Sequence, residues 1–189
     1  MLLNDKTIRA ALIARLLKFP VKPKAILEEL RVHNGNAIAD VVAINSFAHC
    51  YEIKGETDSI YRIARQAAFY DRAFTKTTLV TTPGQIKKAS QLVPLHWGIL
   101  QASHSNGKLI FGYVRSAGTS PVYDSKAALL TLWRAELLDV ATALGNSTAK
   151  LNRTQLTEMI ALRLGKRRLT KTIGEKLQVR QASPYSRDM

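Results

Sequence analysis

The stretch that decides the fold is residues 38–54, IADVVAINSFAHCYEIK. It holds two runs rich in β-branched, aromatic and other apolar residues, 38–44 and 47–54, separated by Asn45 and Ser46. Apolar runs of this length around turn-forming residues predict two β-strands joined as a hairpin. The hairpin carries two acidic residues and a lysine among its apolar side chains, so its register decides where those charges meet.

The register can be stated as a condition on Asp40 and Glu52. Side chains alternate across a strand, so Glu52 and Lys54 share one face of the second run. Asp40 lies opposite Glu52 only if paired residue numbers sum to 92, which requires three or five residues in the connection, or a bulge. A strict two-residue turn would misplace them by one position. In the required register the three side chains converge, and the two carboxylates repel each other unless a cation lies between them.

The charge of the chain is unevenly distributed. The 189 residues include 28 Lys and Arg against 14 Asp and Glu, a formal net charge of +14 that favours a polyanionic partner, with DNA the first candidate. Residues 28–58 nevertheless hold six acids and two basic residues, a local charge of −4. An acidic segment in a basic chain suits a site that places divalent cations against a phosphodiester. Chance clustering on a solvated face is the alternative.

Composition also bears on the compartment. Cys50 is the single cysteine, which excludes an intrachain disulfide and favours a reducing environment. No window approaches the length of an apolar membrane span, and the N-terminus lacks the pattern of a secretory signal. We therefore expect a soluble, cytoplasmic protein without a membrane partner, and the sequence leaves a homodimer open.

The remaining periodicities predict an α/β core followed by helices. Helices are predicted over residues 5–17, 25–31, 59–74 and 84–92. Apolar runs bounded by turn residues predict strands over 77–83, 97–100 and 108–115. The predicted organisation is a core over 1–118, a helical C-terminal extension over 119–182 and a flexible tail over 183–189. In the extension, the stripe from Leu130 to Leu144 predicts one helix ended by Gly145, and two further helices follow.

The hairpin residues suit metal-assisted phosphodiester chemistry. The oxygens of Asp40 and Glu52, with the backbone carbonyl of Ile53, are ligands that Mg²⁺ or Mn²⁺ prefers, whereas zinc would require cysteine or histidine at ligand spacing. Lys54 is placed to orient a water or to offset developing negative charge. Glu29, on the helix predicted before the hairpin, adds a further carboxylate. The alternative is a salt bridge between Lys54 and either acid on an exposed face.

The helix predicted after the hairpin carries a second polar pattern. Asp58, Arg62, Gln66 and Tyr70 recur every four residues and form one stripe beside the apolar one. Gln66 and Tyr70 are candidates to contact a carboxylate ligand or a phosphate, and Arg62 a phosphate. A solvated helix face explains the stripe nearly as well when it is taken alone.

These motifs together resemble the PD-(D/E)XK nuclease superfamily. The order is LEEL at 27–30, IAD at 38–40, EIK at 52–54 and QAAFY at 66–70, the last being typical of the RecB-like branch. The blocks are similar to small uncharacterised bacterial and phage members, and the resemblance covers about residues 5–115. It implies a restriction-endonuclease-like core, with a mixed central sheet flanked by helices, and a metal-dependent nuclease that hydrolyses DNA.

The resemblance also implies roles for individual residues. By this resemblance Asp40 and Glu52 bind the metal, and Lys54 positions the water. Glu29 assists, with the adjacent Glu28 as the alternative. Gln66 and Tyr70 shape the site. Relatives commonly carry an arginine shortly before the aspartate, where this chain has Ile38. That departure puts the substrate preference in doubt.

A basic cluster near the C-terminus is a separate candidate for nucleic-acid binding. Lys166, Arg167, Arg168 and Lys171 lie close together in the sequence, and either phosphate binding or a solvated surface would explain them. Two functions other than a nuclease therefore remain: a non-catalytic DNA-binding or regulatory module that retains the fold, and binding to an anionic membrane surface.

Overall fold

The computed structural model describes residues 2–145 and 150–182, so the predicted tail at 183–189 lies outside the described residues. The strands are β1 Ala25–Val32, β2 Ala37–Ile44, β3 Ala48–Lys54, β4 Lys76–Thr81, β5 Gly98–Ser105 and β6 Lys108–Arg115. The helices are α1 Asp5–Leu16, α2 Ile63–Ala73, α3 Ile86–Leu92, α4 Ser125–Leu129, α5 Arg134–Ala143, α6 Arg153–Arg163 and α7 Lys166–Ala182. No helix in these ranges has the length and apolar character needed to cross a bilayer.

The six strands form one mixed sheet in the order β1-β2-β3-β4-β5-β6. The first three strands are antiparallel neighbours, β3 to β5 run parallel, and β6 returns antiparallel to β5. The parallel connections run through α2 and α3. The chain is thus a mixed α/β protein with helices against the sheet and further helices at its C-terminal end, which confirms the coarse fold class expected from the sequence.

The helix predicted over residues 25–31 is wrong, because this segment is strand β1, antiparallel to β2. The apolar residues Leu27 and Leu30, three positions apart, both enter the same buried cluster. Glu29 between them has a φ of 52°, which shifts the strand's alternation by one residue. Spacing of three is typical of a helix, so this irregularity explains the error.

Each face of the sheet carries its own buried cluster. On one face, α1 places Ile8, Leu12 and Leu16 against apolar side chains from the central strands, including Val41 and Ile53. The other face is covered by α2 and the C-terminal helices, whose apolar residues join the strands in one larger cluster. The C-terminal helices therefore share a core with the sheet.

The C-terminal helices differ from the prediction at one point. The helix expected from Leu130 to Leu144 begins only at Arg134, as α5, and residues 130–133 are a non-helical connection that separates it from α4. Buried Arg180 of α7 contacts Glu136 of α5 through two nitrogens, one of them at 2.9 Å from Oε1, and its guanidinium lies 4.2 Å from the centre of the Trp133 ring. This ion pair fastens α7 to α5.

The outer edge of β1 is partly occupied by a side chain. The Gln181 amide nitrogen donates to the carbonyl of Ile26 at 2.7 Å, and its amide oxygen accepts from the N–H of Ile26 at 3.2 Å. The side chain thereby makes the pair of hydrogen bonds that a neighbouring strand would make.

Candidate active site

The register of β2 and β3 is the one that brings Asp40 beside Glu52. Val41 pairs with Tyr51 and Ile44 with Ala48, so paired numbers sum to 92 and three residues form the connection. The regular ladder ends just before Asp40, whose Oδ2 accepts a hydrogen bond from the N–H of Ile53 at 2.7 Å. The three-residue connection confirms the register condition derived from the sequence.

Glu52 lies at the centre of a buried polar network. It is 1% exposed, its Oε1 contacts the Nζ of Lys54, and its Oε2 lies 2.8 Å from the hydroxyl of Tyr70. The Lys54 carbonyl is in turn held by the Thr81 hydroxyl at 2.8 Å, which fixes the end of β3 against β4. The salt-bridge alternative also expects a contact between Lys54 and an acid, but on an exposed face, whereas both side chains are buried here.

The Tyr70 hydroxyl has two acceptors within reach, Glu52 and, at 2.6 Å, the carbonyl of Ile38. Its single hydrogen can go to only one of them at a time. Burial raises the pKa of Tyr70 above its ordinary range, with the charge of Glu52 as a further cause, so the phenol keeps that hydrogen. Tyr70 therefore connects the carboxylate on β3 to the backbone of β2.

Gln66 and Arg62 occupy different positions on the approach to this network. Gln66 lies one turn before Tyr70 on α2, and its Nε2 is 3.4 Å from the Tyr70 hydroxyl. Its Oε1 is buried and has no hydrogen-bond partner among the described residues. Arg62 is exposed in the short 3₁₀ turn, residues 60–62, that precedes α2. The structure thus brings Gln66 to the Tyr70 hydroxyl and leaves Arg62 at the surface.

Asp40 is more accessible than Glu52, with 19% of its side chain exposed against 1%. Burial and the nearby charge of Glu52 raise its pKa from 3.8 to about 7, although the N–H of Ile53 and the charge of Lys54 act in the opposite direction. Near neutral pH the site therefore holds a carboxyl group that is only partly ionised. A cation bound there would favour its ionised form.

Arg9 is a site residue that the sequence reasoning missed. Its guanidinium, on α1, lies 2.8 Å from Asp5, 2.9 Å from Glu29 and 3.5 Å from Asp40. Arg9 lies on α1, 29 positions before Ile38 in the sequence. The i,i+4 spacing of Asp5 and Arg9 predicts their ion pair on the first helix but not the contact of Arg9 with Asp40.

The two glutamates predicted on a helix lie on the irregular segment of β1. Glu29 has 68% of its side chain exposed and Glu28 54%, and their carboxylates are 2.9 and 3.9 Å from Arg9. The helical placement was wrong for the reason given above for β1. Glu29 is brought to the site through Arg9, opposite Asp40, and contacts neither Glu52 nor Lys54 among the described residues.

The oxygen donors present fit a small divalent cation. Within residues 2–145 and 150–182 no group of three His, Cys, Asp or Glu side chains is arranged to hold a metal. Magnesium in proteins commonly uses one or two carboxylates, and water and substrate phosphate complete its coordination. Asp40 and Glu52 are two such carboxylates, and the Ile53 carbonyl stays a predicted third ligand. Asp5, one of whose oxygens is buried without a partner among the described residues, also acts on the charge of Asp40.

The basic cluster of α7 does not line this site. Lys166, Arg167, Arg168 and Lys171 surround a groove beside the β2–β3 connection, residues 45–47. That connection and Glu52 are at opposite ends of β3, about 17 Å apart along the strand. The sequence-predicted residues therefore form two separate surfaces.

Comparison with known proteins identifies the family. A solved structure of SPO1766, a protein of unknown function from Silicibacter pomeroyi, aligns with a TM-score of 0.40 and 14% identity over 67% of this chain and 83% of that one. Protein cII of enterobacteria phage P4 is 25% identical over 164 residues, or 86% of this chain, and the match spans 62% of that relative's length. A family model described as bacteriophage P4 protein cII matches residues 1–186, and the chain therefore belongs to this family.

Proposed function

We propose that this chain is a metal-dependent nuclease that hydrolyses phosphodiester bonds in DNA. The observation that carries the proposal is the meeting of Asp40, Glu52 and Lys54 at the adjoining ends of β2 and β3. Two acids that share a partly buried site raise the proton affinity of one of them, and a bound divalent ion relieves that repulsion. Lysine beside such a pair is suited to a phosphate or an attacking water.

The order of elements supports the finer description of the fold. From α1 to β4 the chain runs helix, three antiparallel strands, helix and parallel strand, with the acids on the second and third strands. We assign this segment to the restriction-endonuclease-like core, in keeping with the PD-(D/E)XK resemblance. A DNA substrate places the activity in the cytoplasm.

Each residue has a distinct part in the proposed site. Tyr70 and Gln66 hold Glu52 in place, and the Ile53 N–H orients Asp40. The Lys54 ammonium contacts Glu52 in the free protein. When a phosphate is bound, the same ammonium also contacts a phosphate oxygen, and its contact with Glu52 weakens. A bound Mg²⁺ or Mn²⁺ would supply charge stabilisation and a more acidic water. Arg9 balances the charge of Asp40 from α1.

A second function, a non-catalytic DNA-binding or regulatory module, is favoured by two contacts. Lys54 already pairs with Glu52, and Arg9 lies 3.5 Å from Asp40. Cations supplied by the protein thus partly neutralise both acids without a metal. Under this function Asp40→Ala and Lys54→Ala leave the cellular effect of the protein unchanged.

Cleavage assays separate the two functions. The purified protein is incubated with Mg²⁺ or Mn²⁺ and with single-stranded, duplex and branched DNA, and with RNA of the same sequence. We expect metal-dependent DNA cleavage that chelation with EDTA and the isosteric variant Asp40→Asn both abolish. Asp139→Asn, which alters an exposed acid paired with Lys176, is the matched control and stays active.

Two results would overturn the nuclease proposal. One is the absence of cleavage of every substrate by folded protein that still binds DNA. The other is equal cleavage by the wild type and by Asp40→Asn, which would identify a contaminating nuclease. Cleavage of RNA alone would retain the chemistry and change the substrate class.

A further inference from the structure

A groove of about 1120 Å³ lies between the N-terminal half of α7 and the connection between β2 and β3. We call it the α7 groove and define it by Lys24, Ser46, Phe47, Arg167, Arg168 and Gln178, which are among its lining residues. It is separate from the carboxylate site, because the connection is at the far end of β3 from Glu52.

The α7 groove is strongly basic. Its described lining includes five basic side chains, those of Lys24, Arg167 and Arg168 together with Lys166 and Lys171, and one carboxylate, Glu175. Lys171 lies 3.7 Å from that carboxylate, and Lys166 lies over the ring of Tyr123 at 4.8 Å. Of the described residues, none forms an ion pair with Lys24, Arg167 or Arg168, so these three cations are free to bind an anion.

The floor of the groove is apolar and partly aromatic. Ile44 and Phe47 contribute to the lining, and Lys76 holds its ammonium 5.6 Å from the centre of the Phe47 ring. Gly174 lets α7 lie close to the sheet, since a Cβ there would stand 3.2 Å from Cγ2 of Ile44. Cationic side chains beside the Phe47 ring match a nucleic-acid strand, whose phosphates contact the cations while a base contacts the ring.

Shape and burial favour a single strand over the other polyanions. A concave groove admits one strand with unstacked bases, whereas a duplex presents a convex surface with its bases inside. An anionic membrane would need a contiguous exposed apolar face beside the charges. Leu169, Ile173 and Leu177 of α7 are buried, and within its described residues 166–182 Val179 is the one large apolar residue that this helix exposes. The exposed Asn45 and Ser46 add polar groups for phosphate or sugar contacts.

We propose that the α7 groove binds a single-stranded segment of nucleic acid, about 17 Å along β3 from the carboxylate site. The inference rests on the proposed function for its choice of nucleic acid as the polyanion. The groove supplies affinity without chemistry, and it holds a strand whose neighbouring part reaches Asp40 and Glu52.

The test is fluorescence anisotropy with a labelled single-stranded oligonucleotide and a duplex of the same length, in EDTA so that cleavage does not enter. The variants are Arg167→Ala combined with Arg168→Ala, and the isosteric Gln178→Glu. The matched controls are Lys18→Ala combined with Lys108→Ala, which removes the same charge from exposed positions outside the groove, and Gln91→Glu on exposed α3.

We expect both groove variants to weaken single-strand binding by roughly fivefold or more. In the double variant, the slope of log K against the logarithm of the salt concentration should become shallower by about 1 to 2. The control variants should bind like the wild type. Circular dichroism verifies that every variant is folded.

Three outcomes would overturn the proposal: equal losses in groove and control variants, tighter binding of the duplex than of the single strand, or binding to phosphatidylserine vesicles with no binding to the oligonucleotide. Because binding is measured without metal, loss of the groove function is distinguished from failure of the nuclease assay. A protein that binds but never cleaves supports the groove and contradicts the nuclease.

Discussion

The hydroxyl of Tyr70 lies 2.8 Å from Oε2 of Glu52, although the two residues are 18 positions apart. This contact joins the helix after the hairpin to the third strand of the sheet. It also depends on the register of β2, because the same hydroxyl reaches the backbone of Ile38. The geometry of the carboxylates is therefore set by packing on both sides of the hairpin.

Tyr70→Phe removes this hydroxyl and keeps the ring. We expect the free energy of unfolding to fall by about 1 to 3 kcal/mol, because the buried Glu52 carboxylate and the Ile38 carbonyl lose the one hydroxyl hydrogen that they share. Urea denaturation measures the change. Tyr61→Phe is the control, since Tyr61 is 65% exposed and its variant should stay within about 0.5 kcal/mol of the wild type. Equal effects of the two changes would contradict the role given to Tyr70.

The raised pKa of Asp40 predicts how stability depends on pH. The folded protein keeps the proton on Asp40 up to about pH 7, whereas the unfolded chain loses it near 3.8. The folded state thus binds more protons in this window, so stability falls as the pH rises from about 4 to about 7, by a few kcal/mol at most. The free energy of unfolding of Asp40→Asn should lack this fall when urea denaturation is measured between about pH 4 and about pH 7. A pH dependence identical to that of the wild type would contradict it.

Metal binding should be visible without any substrate. At a pH above 7, where Asp40 is ionised, Mn²⁺ or Mg²⁺ at about 100 times its dissociation constant should stabilise the fold by about 2.7 kcal/mol. The measurement is the shift of Tm with metal concentration. Asp40→Asn should show a much smaller shift, whereas Asp139→Asn, at an exposed position, should respond like the wild type. Equal shifts in all three proteins would exclude Asp40 as a ligand.

The attachment of α7 should depend far more on Arg180 than on Lys176. Arg180 pairs with Glu136 with 6% and 13% of the two side chains exposed, whereas the bridge from Lys176 to Asp139 is open to solvent. Removal of one partner of a buried pair leaves an uncompensated charge, so Arg180→Met should cost about 3 to 5 kcal/mol. Lys176→Met should cost less than about 1 kcal/mol. Urea denaturation of both variants checks the difference, and similar costs would contradict it.

The sequence predicts the hairpin and the register condition under which Asp40 meets Glu52, because paired residue numbers in an antiparallel ladder have a constant sum. It fails for β1, where the positive φ of Glu29 turns a two-residue period into a spacing of three. The same shift affects β2, where Ala39 and Val42 enter one cluster while Val41 enters the other. Local periodicity does not reveal such an irregularity in advance.

Contacts between distant segments explain the other omissions. Arg9 reaches Asp40 only because α1 packs across the central strands, and nothing in its neighbourhood in the sequence indicates that contact. The connection between α4 and α5 was missed because Leu130 and Trp133, which lie in it, continue the apolar spacing of Leu137 and Ala141. Apolar periodicity therefore continued where the helix did not.

The paired hydrogen bonds of Gln181 to Ile26 have a consequence for self-association. The free N–H and C=O groups of an open strand edge can pair with the backbone of another molecule. The Gln181 amide already binds the outward N–H and C=O of Ile26, so these two groups are not available for such pairing. The opposite border, β6, has exposed Ile110, Tyr113 and Val114. Pairing of an incoming strand with β1 is thus hindered at Ile26, and the two borders of the sheet are not equivalent as partners.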